Sequence, residues 1–339
     1  MIHRARSFPT LGLVLIAGGC ARGHGELFAP SGPPIEWPRP PDPPRVRFLG
    51  EIKGSEDLHA GKSAGQVWRE VLYGPEAPAM MTRPHALAVS ADGDRLAVAD
   101  TDAACVHVFD LARRGYRRID DYGGPQRVPT GVAWDGQDLW IADAKLHAVV
   151  VAAPAGPPRV VGAEVLARPA GIAFDPARGW AFVSDAGAHG VVVFDRTGRL
   201  VWRFGRQGPE PGAFNYPAQI ACSADGTLAV ADAMNFRVQL FSPDGALIRA
   251  FGRKGDAPGD FALPKGVAFG PDGNLWVVDA HFENVQAFTP SGELLMSLGR
   301  EGHAPGEFWL PAGVCIDAKR RMWVADTYNR RVQVFELLP

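Results

Sequence analysis

The chain has 339 residues and a formal charge of −2, from 35 basic and 37 acidic side chains. That length is enough for a sizeable buried core. A nucleic-acid binder usually shows a basic excess, so this balance, which becomes 33 basic against 37 acidic without residues 1–19, argues against that class. The 40 glycines and 30 prolines read as punctuation between short strands rather than as disorder.

The N-terminus has the layout of an export signal. Arg4 and Arg6 precede a short apolar run, residues 11–17, followed by Gly18 and Gly19. The run is too short to span a bilayer. Cys20 comes next, and Ala17-Gly18-Gly19-Cys20 resembles a bacterial lipobox, with Ala17 where that pattern prefers Leu. The resemblance implies a diacylglyceryl group on Cys20 and an acylated amine, and two lipid signals give a stable anchor. The plainer alternative is secretion with cleavage near Cys20. Ala21 is not the Asp that avoids the outer membrane in Gram-negative lipoproteins. The expected location is therefore the cell envelope, anchored at the outer membrane or periplasmic.

Eight prolines fall between Pro30 and Pro44. Such a stretch is extended and semi-rigid, so residues 20–44 are expected to act as a tether after a signal at 1–19. The remaining 45–339 form one repetitive domain. Its largest irregularity is residues 51–83, long for a connection and therefore a functional candidate. Val67, Trp68, Val71 and Leu72 share one side of a helix expected near residues 62–73. That helix could lie over one mouth of the domain or cover its closure seam.

From residue 84 onward one phrase recurs six times, ending in Asp100, Asp143, Asp185, Asp232, Asp279 and Asp326 at spacings of 43, 42, 47, 47 and 47. A period of about 40–50 residues with several short strands marks a propeller blade. Each copy parses into four strands. A first strand starts at Pro, as in Pro217-Ala218-Gln219-Ile220-Ala221-Cys222, and Asp225-Gly226 turns it into Leu228-Ala229-Val230-Ala231. After Asp232 comes Val238-Gln239-Leu240-Phe241, and Asp244-Gly245 leads to a fourth strand ending at Phe251-Gly252. Trp140, Trp276 and Trp323 hold matching positions and should pack between blades. Cys222 and Cys315 fall on first strands of blades that do not touch, so no disulfide is expected between them, and with Cys105 they leave an odd count for an exported chain.

The glycine loops at Gly205-Arg206, Gly252-Arg253 and Gly299-Arg300 are not phosphate cradles, because none opens a helix. Each instead runs to Phe214, Phe261 or Phe308, expected as packing plugs. The last repeat ends at Phe335 without a fourth strand. Residues 45–50 can supply it, with Leu49-Gly50 matched to Leu298-Gly299, and closure would remove exposed sheet edges.

The phrases Asp326-Thr327-Tyr328-Asn329-Arg330-Arg331-Val332-Gln333-Val334-Phe335 and Pro305-Gly306-Glu307-Phe308 resemble NHL repeats. The resemblance covers residues 45–339 and implies an all-β, six-bladed propeller of four-stranded antiparallel blades, closed by an N-terminal strand. The lipidated, proline-rich N-terminus is similar to that of bacterial NHL lipoproteins.

In such a propeller, the starts of first strands and the ends of second strands share one face around a central channel, the default ligand site. The residues after each leading proline are His85, Thr130, Ala170, Ala218, Lys265 and Ala312. Candidate site residues on that face are His85, Asp100, Lys145, Lys265, His281 and Trp68. The six aspartates recur in every blade and read as structural caps for the loops that follow them, since catalysis needs asymmetry among copies. His147, His189, His281 and His303 read as solvent-facing.

Pro84-His85-Ala86-Leu87 resembles the Pro-His-x-Leu/Ile motif of peptidylamidoglycolate lyases, NHL-like propellers with a catalytic zinc. That resemblance implies a metal-assisted lyase or hydrolase with His85 as a ligand. Zinc catalysis usually needs three protein ligands, and the equivalent positions here carry Thr130, Ala170, Ala218, Lys265 and Ala312. The expectation is therefore no cofactor, with zinc as the alternative, and a binding module for an envelope protein or glycan rather than an enzyme. Membrane contact would come through the lipid. Single-stranded RNA binding, as in some animal NHL proteins, conflicts with export and charge.

Overall fold

The computed structural model describes residues 27–28, 32–58, 78–124 and 126–339. Six antiparallel sheets follow one another around a closed ring. The first blade holds Pro84–Val89, Arg95–Asp100, Cys105–Asp110 and Gly115–Ile119, innermost strand first. Four more four-stranded blades follow, their innermost strands being Pro129–Asp135, Pro169–Asp175, Pro217–Cys222 and Pro264–Phe269.

The sixth blade contains Val314–Ile316, Arg321–Asp326 and Arg331–Leu337 and takes its fourth strand, Val46–Ile52, from the N-terminal side. The pairing differs from the expected alignment by three residues. Ile52 lies opposite Val332, where Leu298 lies opposite Val285, so Ile52 and not Leu49 is the equivalent of Leu298. The bulge between Phe48 and Gly50 repeats the one between Leu294 and Met296 in blade five. The reason is burial. Val46 and Ile52 are both fully buried, Val46 in the cluster between blades five and six and Ile52 in the cluster between six and one. A one-residue slip would exchange these faces for solvent.

Within the proline-rich stretch, Glu36–Trp37 adds a fifth strand outside Val46–Ile52. Trp37 and Phe48 both set their rings edge-on to Phe335, at 5.9 and 5.7 Å. The expected helix at 62–73, with Trp68, and the lipidation candidate Cys20 lie outside the described residues. The two flanks of that segment are fixed at the closure seam, where Leu58 and Met81 are buried beside Trp323.

The core is divided into six apolar clusters among the described residues, one at each blade junction. This follows from the sequence. The strands read as runs of Val, Ala, Ile and Phe, buried on both faces, and β-branched residues suit such a pleated surface. Trp140, Trp276 and Trp323 sit in three of these junctions as expected, with Trp140 5.7 Å from Phe174 of the next blade. Phe214, Phe261 and Phe308 are fully buried, each bridged back to its glycine loop. Cys105, Cys222 and Cys315 are free thiols. Burial, first among the causes, pushes Cys105 up to about 11 and Cys222 to about 12.

Candidate functional site

The mouth of the channel is shaped by a defect repeated in five blades. Each leading proline pairs with its closing aspartate, as in Pro84 with Asp100 and Pro264 with Asp279, and the register breaks immediately after it. A bulge re-aims the next side chain. His85, Thr130, Ala170, Ala218, Lys265 and Ala312 consequently converge on one cavity of about 190 Å³.

The next position in each blade forms the waist of the channel. It is Ala86, Gly131, Gly171, Gln219, Gly266 and Gly313 in turn. A Cβ on Gly131 would come within 2.9 Å of the Gly171 Cα, and one on Gly313 within 2.6 Å of the His85 carbonyl oxygen, so the ring of backbones leaves no room there. Gln219 alone carries a long side chain. Its Nε2 donates to the carbonyls of Thr130 at 2.8 Å and Ala170 at 3.1 Å. The amide therefore reaches across the neighbouring third blade to the second and forms the floor of the mouth. Below it lies a second, apolar cavity of about 350 Å³, which Gln219 also lines with Trp134, Phe174 and Phe269. Gln219 was not among the sequence candidates. Its signal was present as one large residue in a column otherwise of Gly and Ala.

The closing aspartates are all fully buried and act as caps. Asp185 accepts from the backbone N–H groups of Ala167, Arg168, Gly187 and Ala188, at 2.7 to 3.1 Å. Blades four and six use a different set. Asp326 accepts from Trp309 N–H at 2.8 Å, Asn329 Nδ2 at 2.9 Å, Arg331 Nε at 2.7 Å and Gln333 Nε2 at 3.0 Å, and Asp232 repeats the pattern with Asn235, Arg237 and Gln239. His107 stands where Gln239 and Gln333 stand. It is buried, 3.4 Å from Asp100 and 2.8 Å from the Tyr116 hydroxyl. Burial alone would raise Asp100, but hydrogen bonds from His107 and from backbone N–H groups of Ala103, Thr82 and Arg83 bring it below its ordinary value. Asp100 is thus committed to its loop.

Among the described candidates, the structure brings two together, His85 and Lys265. Burial, then the charges of Lys265 and Arg83, lower His85 to about 4, so its imidazole is neutral at pH 7. Burial and Arg83 also lower Lys265, partly offset by Glu283. Lys145 and His281 are exposed and do not line the mouth, because each follows its aspartate into an outward loop. His281 borders a separate hollow with Met234 and Lys254.

Of the histidines expected to face solvent, His147, His281 and His303 are exposed, and His189 is partly buried. His147 and His189 match because both occupy the left-handed position that follows each aspartate, at φ 53° and 54°. From there they brace the next blade. His147 Nδ1 contacts the Ala167 carbonyl, and Tyr216 N–H donates to His189 Nδ1 at 3.2 Å. Glu283, at the same position, accepts from Leu310 N–H.

A zinc centre does not fit this mouth. The charged neighbours of His85 are cations, and among the described residues no three His, Cys, Asp or Glu side chains come together as a ligand set. On the rim, by contrast, Trp309 and Tyr328 are each 41 % exposed, with ring centroids 5.5 Å apart. Arg83 donates to the Tyr328 hydroxyl at 3.0 Å and sits over its ring.

The family described as NHL repeat matches residues 81–109 and 308–335, the first strands of blade one and most of blade six. The chain is an NHL-repeat β-propeller. Among solved structures, it is similar to a catalytically inactive virginiamycin B lyase from Staphylococcus aureus with quinupristin, at 15 % identity, covering 79 % of this chain and 86 % of that one, TM-score 0.57. It is also similar to an auxiliary nutrient binding protein from Bacteroides thetaiotaomicron, at 12 % identity over 75 % and 69 % of the chains, TM-score 0.57. A nidogen/laminin complex matches at 18 % identity over 68 % and 85 %, TM-score 0.53. Identities this low show the NHL propeller's fold alone. No curated protein matches the chain.

Proposed function

We infer that this NHL propeller is an exported binding module, anchored in the cell envelope through a lipid on Cys20, which presents its loop face to a protein or glycan. The observation that carries the reading is the rim. Trp309, Tyr328, Tyr216 and Met234 are all more than 40 % exposed, and the first three lie on loops that lead into or flank the mouth. Aromatic residues, Met and Arg are the types enriched in binding surfaces. A rigid ring with adaptable loops on one face also suits recognition.

The test is photo-crosslinking in the native envelope from positions 309 and 328, with Trp309→Ala/Tyr328→Ala as control. A discrete adduct lost in the control supports the reading. Adducts no different from those formed at an exposed position on the opposite face would sink it. Lipidation is checked separately, by metabolic fatty-acid labelling that disappears in Cys20→Ala.

A further inference from the structure

The mouth cavity holds a cation without a counter-ion. Lys265 is half-buried, and among the described residues no hydrogen bond or ion pair reaches its ammonium. The carboxylate that influences it most, Glu283, already accepts from the Leu310 N–H. Arg168 borders the same cavity but is exposed, so water can serve its guanidinium. Desolvating the Lys265 ammonium without pairing it is costly.

The rest of the wall is apolar or already committed. Pro169, Ala170, Pro217, Ala218 and Ala312 supply hydrocarbon surface. The Thr130 hydroxyl donates to the Pro169 carbonyl at 2.9 Å, and both Gln219 amide hydrogens in use go to carbonyls. A sugar ring would find few free polar groups there. At about 190 Å³ the cavity is also smaller than most small-molecule sites, which run to roughly 300–1,000 Å³. It suits one side chain.

We propose that the mouth cavity takes a carboxylate on a short alkyl stem, the glutamate or aspartate side chain of a partner protein, with the carboxylate against Lys265 and the stem against Ala218 and Ala312. This rests on the reading of the loop face as the binding face. The exposed aromatic rim around the cavity, with Arg83 among it, favours a protein as the source of the carboxylate over a free acid. The pocket supplies the single buried anchor, and the rim supplies the surrounding contact.

The experiment uses the soluble chain from Ala21, with three probes: butyrate, a capped peptide bearing one glutamate among alanines, and the same peptide with glutamine. Binding is read by calorimetry and by the NMR titration of the His85 ring. Butyrate and the glutamate peptide are expected to bind, the peptide more tightly, and to move the His85 midpoint upward because an anion has entered beside it. The glutamine peptide, and Lys265→Met with either acid, should bind about tenfold more weakly or less, the order of a lost charge-assisted contact. Lys265→Arg should retain binding, and Ala218→Leu should abolish it by filling the cavity. Carboxylate binding that is unchanged in Lys265→Met, or absent altogether, overturns the proposal. Butyrate binding as tightly as the peptide overturns the protein assignment. If crosslinking at positions 309 and 328 persists in Lys265→Met while no carboxylate binds, the anchor is wrong and the binding-face reading stands.

Discussion

The depressed basicity of His85 has a consequence for stability. In the unfolded chain a histidine titrates near 6.5, whereas in the native cavity burial and the charges of Lys265 and Arg83 hold it at about 4. Between those values the unfolded state binds a proton that the native state does not. Stability therefore falls as pH drops through the unfolded value and levels off below the folded one. Each pH unit of displacement is worth about 1.4 kcal/mol, so His85 alone should remove about 3 kcal/mol between pH 7 and pH 4. That is a large fraction of a typical total of about 5–15 kcal/mol. His85→Gln keeps an amide at the bulge and removes the titration. Urea unfolding at a series of pH values should show the wild type losing about 3 kcal/mol more than His85→Gln across this range. The remaining carboxylates and histidines are common to both proteins and cancel in the difference. Parallel profiles, or an NMR midpoint for the His85 ring near 6.5, would refute the reasoning.

Three further outcomes follow from the described contacts. Asp326→Ala removes the buried carboxylate shared by Arg331, Asn329, Gln333 and the Trp309 N–H, with Arg331 keeping its ion pair to Glu51, and should cost about 3–5 kcal/mol in urea unfolding. The double variant with Arg331→Met should cost less than the two single changes together, by about 1–3 kcal/mol of coupling. Gln219→Ala removes two hydrogen bonds to Thr130 and Ala170 carbonyls, worth about 1–3 kcal/mol in all, and a crystal structure should show the two cavities joined along the axis. Ile52→Ala empties a fully buried place in the closing strand and should destabilise by about 2–5 kcal/mol, measured the same way.

The blades were legible because their signals are local and repeated. A proline, an Asp-Gly turn and a closing Asp recur at nearly constant spacing, and each has one conformational meaning. The pairing of His85 with Lys265 was legible for the same reason, since both follow a leading proline and the bulge there turns every such side chain inward. Lys145 and His281 were assigned to the same face from their nearness to a closing aspartate, but that aspartate binds the loop N–H groups and turns the chain outward at the next left-handed residue. Face and direction are separate facts, and only the first is carried by sequence distance.

The closing strand shows a related distinction. Its identity could be read from the missing fourth strand of blade six, but its register could not. An aromatic-Gly ending was matched as a motif, whereas the ladder is set by which side chains are buried at two blade junctions at once, Val46 at one and Ile52 at the other. Gln219 is the opposite case. Nothing local marks it, yet it is the one large residue in a column of Gly and Ala whose backbones nearly touch. In a ring of near-identical copies, the residues that stabilise every blade are the ones that repeat, and those that could confer a specific function are the ones that break the column. Gln219, Lys265 and His85 each break theirs, and the structure places all three around one cavity.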